Sequence, residues 1–200
     1  MAENEAMAAV RVAMVGETEA TGRTAELYAQ IKSATGVPFV PDMFRLVSTK
    51  PELLEALLAG YSGCFGEQAQ LERGTRELIA SWTSKLNSCL YCVGTHNWFL
   101  LQFGGSQELA DAVTRAATAD ELPVEERVKV LLRVVTKVTD EAYRITDQDW
   151  ADALAAGWTE GELLEAVFIA ALFNFITRVV DSLGLGAALQ RSRISAQSAD

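Results

Sequence analysis

The sequence contains little histidine, cysteine and proline: one, three and four of them among 200 residues. With a single histidine and no second C-x-x-C pair, the usual four-ligand zinc sites lack ligands. The chain also lacks a surplus of positive charge, since its formal net charge is −10. Nucleic acids and anionic membrane surfaces need a basic face, so neither is expected as a partner.

The first 20 residues lack the basic and then apolar pattern of a secretory signal peptide, because acidic residues are interspersed among alanines. We therefore expect a cytoplasmic protein. Half of the residues are hydrophobic and 22% are charged, a composition that excludes a disordered chain. We expect an N-terminal extension over 1–20, a helical domain over 21–187, and a polar tail over 188–200 that frays or contacts another subunit.

The sequence also lacks sustained alternation of apolar and polar residues, the pattern typical of strands. Glycines fall mostly between runs of helical periodicity, where helices end. Capping boxes are predicted at Thr159 with Glu162 and at Thr146 with Asp149. These patterns predict an all-α fold with short connections and antiparallel neighbouring helices.

One apolar stretch is long enough to resemble a membrane span. It is LLEAVFIAALFNFITRVV, residues 163–180, and Glu165, Asn174 and Arg178 interrupt it. Charges and an amide are costly in hydrocarbon, so we interpret the stretch as a helix buried in a core or subunit interface. Because so apolar a helix exceeds what a lone domain of this size hides comfortably, we expect at least a dimer.

The only histidine lies beside two of the three cysteines, in CLYCVGTH. Asn87 and Ser88 separate two helical patterns and suit an N-cap, which predicts a helical hairpin over 75–103 with its turn there. The cysteines would then occupy the first turns of the second helix, whose N-terminus stabilises a thiolate. Cys92 and His96 are four residues apart and so share one helix face, an arrangement that activates a nucleophile.

Glu77 is brought to His96 by counting along the two predicted helices. Glu77 lies ten residues before Asn87, about 15 Å back along the first helix. His96 lies eight residues after Ser88, about 12 Å along the returning helix. In an antiparallel hairpin the two side chains reach one level, so Glu77 can orient or charge His96. Spacing permits this contact, while a solvated glutamate is the ordinary alternative.

Three interpretations of the two cysteines compete: a metal site, a disulfide staple and a redox centre. The metal interpretation is weak, because only Cys64 or a carboxylate remains to complete the ligands. A purely structural disulfide is weaker, because so short a loop removes little chain entropy. Cys64, alone in GYSGCFG, is most simply a small buried hydrophobic residue.

The motif E-x11-C-x2-C-x3-H, here Glu77, Cys89, Cys92 and His96, resembles the core of the alkylhydroperoxidase D (AhpD)-like proteins in the carboxymuconolactone decarboxylase superfamily. The neighbouring RELIASWTSKLNSCLYCVGTHNWFL and FNFITRVVDSLGLG are similar to its peroxidase-related branch, so the resemblance covers roughly 40–187. It implies an all-helical AhpD-like domain, assembly into dimers, trimers or hexamers, and thiol-dependent reduction of hydroperoxides. By this resemblance Cys92 attacks the peroxide, Cys89 then forms a disulfide with the oxidised Cys92, and His96 with Glu77 relays protons.

The resemblance also implies no bound cofactor or metal and an external dithiol reductant, such as a lipoyl or thioredoxin-like protein. The sequence departs from the family at two positions. Tyr91 lies between the cysteines where the best-studied members carry a histidine, which shortens the relay. Thr177 replaces an asparagine common in the branch, which would weaken a hydrogen bond.

A possible internal duplication follows from the spacing of four residues. The positions of Glu77, Cys89, Cys92 and His96 recur 85 residues later in the sequence. Those recurring positions are Glu162, Asn174, Thr177 and Asp181. If the recurrence is real, the C-terminal half contains a degenerate copy of the cysteine-bearing hairpin.

Two effects disagree about which cysteine is the nucleophile. The helix N-terminus favours Cys89, and the imidazole of His96 favours Cys92. A helix dipole at a short exposed turn contributes under about 1 kcal/mol, so we assign the attack to Cys92. Two other function classes stay open: a lyase acting on a small carboxylated lactone, and a non-catalytic redox-sensing oligomer. Other superfamily members that act as lyases commonly lack the cysteine pair, which counts against the first.

Overall fold

The protein is described here by a computed structural model covering residues 10–186. Within this range the chain forms nine α-helices and two short 3₁₀ helices, and it has no β-strand. The all-α prediction is confirmed. The α-helices are α1 Gly22–Thr35, α2 Asp42–Arg45, α3 Pro51–Phe65, α4 Arg73–Leu86, α5 Leu90–Gln102, α6 Gln107–Arg115, α7 Glu126–Glu141, α8 Asp147–Ala155 and α9 Glu160–Leu183, and the 3₁₀ helices are Ala119–Glu121 and Ala142–Arg144.

The chain divides into two compact units, and the boundary between them falls inside α9. Among the described residues, one unit comprises 10–67 and 178–186, and the other comprises 68–177. The predicted limits at residues 20 and 187 stay predictions. The predicted fraying or intersubunit tail over 188–200 lies outside the described residues.

In the first unit, α1 packs against α3. Helix α1 ends as its sequence predicts, with Gly36 in the left-handed conformation at φ 72°. Helix α3 begins at Pro51, whose fixed φ suits a first helical position. Its Tyr61 ring meets Phe44 edge-on and stacks on Phe65. Cys64 is buried in this helix, as predicted.

The second unit is organised around α4, which packs against α5, α6 and α7. Trp82 of α4 is fully buried, and its indole Nε1 donates to Thr136 of α7 over 2.9 Å. On another face of α4, the buried Ser81 hydroxyl donates to Asn97 Oδ1 of α5 over 2.6 Å. Helix α4 is therefore held from both sides, which fixes the side chains that it carries toward α5.

Both predicted capping boxes of the second unit are confirmed. At the start of α8, Thr146 and Asp149 exchange side-chain and backbone hydrogen bonds. At the start of α9, the Thr159 N–H donates to Glu162 over 2.8 Å and the Glu162 N–H donates to Thr159 over 3.2 Å. These reciprocal bonds satisfy N–H groups that a helix N-terminus leaves without intrahelical acceptors.

Helix α9 has the length and apolarity of a membrane span, with a mean hydropathy of 1.9 over its most apolar window, of which 44% is buried in the protein. Its buried face includes Leu163, Ile169 and Phe173, which agrees with the predicted core helix. Its opposite face exposes Leu164, Phe168 and Phe175. Burial in a subunit interface stays a prediction for that second face.

The predicted internal duplication is wrong in the form stated. The supposed copy, from Glu162 to Asp181, lies within one continuous 24-residue helix. The motif itself is divided between α4 and α5 by a turn. Equal spacing therefore places the two sets of residues in different arrangements, because the first contains a chain reversal and the second does not.

Candidate functional site

The connection between α4 and α5 positions the cysteines. Asn87 is still in the helical region, and Ser88 follows in the left-handed conformation at φ 60°. The Ser88 N–H donates to Lys85 O and the Cys89 N–H donates to Ser84 O, each over 2.9 Å. These two bonds form a Schellman motif, which closes α4 and reverses the chain.

The predicted N-cap at Asn87 or Ser88 is wrong by one or two residues. The N-cap of α5 is Cys89, in extended conformation, and Cys92 lies within the first turn. Ser88 is used to end α4 rather than to begin α5. The Asn87 side-chain amide donates to Asn174 Oδ1 over 2.9 Å, so it links the turn to α9.

A disulfide joins Cys89 and Cys92, whose Cα atoms are 5.4 Å apart. Both residues are buried, at 0% and 3% exposure. The pair occupies the N-terminal end of α5, where backbone N–H groups and the helix dipole favour negative charge. The two cysteines are therefore placed together at the positive end of α5.

Glu77 and His96 lie together, as the residue counting predicts. The two atoms Glu77 Oε2 and His96 Nδ1 are 2.6 Å apart, between α4 and α5. Glu77 is fully buried and His96 is 8% exposed. His96 lies one helical turn after Cys92 on α5, so the carboxylate, the imidazole and the cysteine pair belong to one cluster.

Arg73 is the member of this cluster that the sequence analysis missed. Its Nε donates to Glu77 Oε1 over 2.7 Å, and the Arg73 side chain is 17% exposed. The carboxylate therefore meets the guanidinium with one oxygen and the imidazole with the other. The signal was available in principle, because Arg73 precedes Glu77 by four residues and such pairs are neighbours on a helix.

Aromatic residues of α5 and α9 pack against the histidine. The ring of Phe173 meets the His96 ring edge-on, with the centroids 4.5 Å apart. Phe99 is tilted against His96 at a centroid distance of 6.2 Å. Thr177, the predicted weak point, is buried and donates its hydroxyl to Phe173 O over 2.8 Å. The departure from asparagine thus leaves Thr177 with a hydrogen bond inside α9.

Within residues 10–186, no group of three or more histidine, cysteine or carboxylate side chains is arranged to hold a metal ion. The candidate site instead places a pair of cysteines beside a carboxylate–imidazole pair. An imidazole held by a carboxylate can accept a proton from a thiol and deliver it to a leaving group. Tyr91, the other position at which the sequence departs from the motif it resembles, lies between the two cysteines in sequence. Its side chain is half-buried.

Residues 51–133, which include the four motif residues, match the model of the carboxymuconolactone decarboxylase family. Among curated protein sequences, none matches this chain. The fold is similar to that of a peroxidase-related protein from Ralstonia eutropha JMP134, described as an alkylhydroperoxidase AhpD core. That structure superposes with a TM-score of 0.79 at 22% identity, over 88% of this chain and 91% of that chain.

Two further solved structures share the fold. A peroxidase-related protein from Silicibacter sp. TM1040 matches with a TM-score of 0.77 at 21% identity, over 88% of this chain and 91% of that chain. The debrominase Bmp8 matches with a TM-score of 0.68 at 16% identity, over 85% of this chain and 88% of that chain. Together, these matches show that the protein has an AhpD-like helical fold and that residues 51–133 are similar to the carboxymuconolactone decarboxylase family.

Proposed function

We propose that the protein is a thiol-dependent peroxidase that reduces organic hydroperoxides through a cycle of Cys92 and Cys89. The observation that carries the proposal is the buried cluster in which the Cys89–Cys92 disulfide lies one helical turn from the Glu77–His96 pair. A purely structural disulfide would not need a buried carboxylate and imidazole beside it. The similarity of residues 51–133 to the carboxymuconolactone decarboxylase family supports the same chemistry at a coarser level.

The cycle begins with the reduced protein. His96 accepts the proton of the Cys92 thiol, and the thiolate attacks the distal oxygen of the hydroperoxide. The O–O bond breaks, Cys92 becomes a sulfenic acid, and the alkoxide takes the proton from His96 to leave as the alcohol. Two electrons pass from the sulfur to the peroxide in this step.

The second step forms the disulfide found in the structure. The Cys89 thiol attacks the sulfenic sulfur of Cys92, an S–S bond forms, and the hydroxyl leaves as water. An external dithiol then reduces the disulfide by thiol–disulfide exchange and is itself oxidised. A lipoyl group or a thioredoxin-like protein has the chemistry required, and no bound cofactor is needed for these steps.

Cys92 is assigned the attack because His96 follows it by one turn of α5, whereas Cys89 is the N-cap residue. Both cysteines lie near the positive end of the helix, so the dipole separates them little. The adjacent base is therefore the stronger difference between the two residues. Glu77 orients His96 and stabilises its charged form while it carries the proton.

The test is hydroperoxide consumption by the reduced protein with a dithiol as the turnover reductant. We expect Cys92→Ser to abolish turnover and Cys89→Ser to stop after one oxidation, with a trappable sulfenic acid on Cys92. Cys64→Ala, which removes a buried thiol of the other unit, is the matched control and should retain turnover. Unchanged peroxide reduction in Cys92→Ser would refute the scheme. A sulfenic acid trapped on Cys89 in Cys92→Ser would indicate that Cys89 attacks the peroxide and Cys92 resolves the product.

The same proteins separate the alternative functions. A lyase acting on a carboxylated lactone would release carbon dioxide without consuming the dithiol. A redox-sensing oligomer would form the disulfide but sustain no turnover. Because the structural neighbour Bmp8 is a debrominase and has been crystallised with 2,3,4-tribromopyrrole, that compound provides a third substrate arm. We expect hydroperoxide to be turned over repeatedly, and much faster than the lactone or 2,3,4-tribromopyrrole is consumed.

A further inference from the structure

We propose that Arg73 is a positioning residue which, through Glu77, selects the protonation pattern of the His96 ring. This inference rests on the proposed role of His96 as the proton acceptor. Arg73 keeps Glu77 ionised, the ionised Glu77 requires a proton on His96 Nδ1, and Nε2 is thereby left with the lone pair that a base needs. Each step follows from a contact in the second unit of the chain.

The first step is the division of the Glu77 carboxylate between two partners. Oε1 accepts from Arg73 Nε over 2.7 Å, and Oε2 lies 2.6 Å from His96 Nδ1. Glu77 is fully buried, and burial by itself favours the neutral form of a carboxyl group. A guanidinium is charged at every physiological pH, so its contact with Oε1 favours the carboxylate.

The second step is the consequence for the imidazole. An ionised carboxylate has no proton to donate, so the short contact between Oε2 and Nδ1 requires the proton to be on Nδ1. The neutral ring then carries its basic lone pair on Nε2, where it can accept a proton. If Glu77 took up a proton from solvent, it could instead donate to Nδ1, and the neutral ring would then carry its own proton on Nε2. That tautomer cannot act as a base through Nε2.

The placement of Arg73 contradicts ordinary helix design, which supports a role beyond stability. Arg73 is the first residue of α4, and the first turn contains no acidic residue. A cation at this end opposes the helix dipole, and the arginine-before-glutamate order is the weaker one for a helical pair. Local rules broken at a buried cluster are expected where function imposes the choice.

Arg73 is also held in place by the helix that carries the cysteines. Its guanidinium lies over the Phe103 ring at 4.6 Å from the centroid and over the Phe99 ring at 6.0 Å. Stacking on aromatic faces is a property of arginine that fixes the plane of the charge. The charge that sets the state of Glu77 is therefore positioned by α5 as well as by α4.

The test uses the fact that His96 is the only histidine of the chain. Nitrogen-15 spectra of the disulfide form, recorded where the imidazole is neutral, report the tautomer of one ring without assignment. We expect the Nδ1-protonated tautomer in the wild-type protein. In Arg73→Gln, which keeps a donor for Oε1 without the charge, we expect signals of the Nε2-protonated tautomer. Arg73→Met serves the same purpose if the glutamine variant does not fold.

Two further variants identify the charge as the cause. Arg73→Lys retains a cation and should retain the wild-type tautomer. Arg133→Gln removes an arginine of α7 whose partners are Asp120 and Glu126, and should change nothing at His96. The wild-type tautomer in both Arg73→Gln and Arg73→Met would overturn the proposal. An Arg73→Lys protein with the same altered spectrum as Arg73→Gln would overturn its basis in charge.

A kinetic arm links the tautomer to the reaction. The rate of sulfenic acid formation in the reduced Cys89→Ser protein should fall about 10²-fold when Arg73→Gln is added, within the range of a lost general base. Arg73→Lys should recover most of the rate. If the wild-type protein does not reduce hydroperoxides, the proposed function fails while the spectra still decide the role of Arg73. A changed tautomer with an unchanged rate would instead contradict the link between them.

Discussion

Replacing Glu165 with alanine should destabilise the segment that leads into α4. The Glu165 carboxylate accepts from the Gln70 N–H at 2.8 and 3.0 Å and from the Leu71 N–H at 2.9 Å. Leu71 is 2% exposed, so its N–H has little access to water once the carboxylate is removed. Arg73, the first residue of α4, follows two residues later. Glu165 thus fixes the chain just before the residue that contacts Glu77.

The expected loss of stability follows from the exposure of the Gln70 and Leu71 N–H groups. An unsatisfied buried donor costs about 1–3 kcal/mol, and an exposed hydrogen bond contributes at the low end of about 0.5–1.5 kcal/mol. We expect Glu165→Ala to lower the free energy of unfolding by about 2–3 kcal/mol. Glu165→Gln keeps a neutral acceptor and should cost about 1 kcal/mol, because charge-assisted bonds are roughly twice as strong as neutral ones.

The assay is urea unfolding followed by circular dichroism, with a thermal melt beside it. At about 2–4 °C per kcal/mol for a chain of this size, Glu165→Ala should lower Tm by about 5–10 °C. The dependence on urea concentration should keep its slope while the midpoint falls. Glu160→Ala, which removes an exposed carboxylate from the first turn of the same helix, should cost less than about 1 kcal/mol. A loss below about 0.5 kcal/mol in Glu165→Ala would refute the reasoning.

Two other predictions concern charge and assembly. The Lys137 ammonium, followed by the backbone and hydroxyl of Thr146, lowers the pKa of Asp149 from 3.8 to about 2. A pKa lowered by folding stabilises the protein above pH 3.8, and that contribution is lost as pH falls through 2. After allowance for solvent screening, Asp149→Asn should therefore cost about 1 kcal/mol at pH 7 and much less at pH 2. Equal losses at both pH values in urea unfolding would contradict this. Phe168→Asp places a charge on the exposed face of α9 and should convert the expected oligomer into monomers, as measured by light scattering. Tyr143→Asp, at an 82% exposed position, is the control and should leave the oligomer intact. A monomeric wild-type protein at micromolar concentration would contradict the prediction of assembly.

The contact between Glu77 and His96 could be predicted from the sequence because helices have a constant rise. Once the turn near Asn87 is recognised, residue counts on either side place the two side chains at one level. The same regularity made it possible to predict the all-α fold. The residue types at two helix starts made it possible to predict both capping boxes. These features depend on local periodicity and on residue types with strong positional preferences.

The details of the turn could not be predicted in the same way. Ser88 is a good N-cap residue and a rare occupant of the left-handed region, so its local preference indicated the wrong role. The Schellman bonds of α4 decide its conformation. Asn87 is likewise drawn to Asn174 of a distant helix. The bonds that end α4 override the N-cap preference at Ser88, and a tertiary contact does so at Asn87.

The duplication hypothesis failed for a related reason. Spacing along the sequence does not distinguish two helices joined by a turn from one continuous helix. Helix α9 contains no counterpart of the left-handed Ser88, so nothing reverses the chain between Glu162 and Asp181. A recurrence of residue spacing indicates a repeated fold only when the turn residues recur with it.

The most direct test of the central claim is to mix the fully reduced protein with one equivalent of cumene hydroperoxide and follow both products. We predict one equivalent of cumyl alcohol per protein chain and a loss of two hydrogen atoms from the peptide that contains Cys89 and Cys92. The disulfide should form at the rate of alcohol release or after it. Consumption of the hydroperoxide without that disulfide, or a disulfide formed without alcohol, would contradict the proposed thiol cycle.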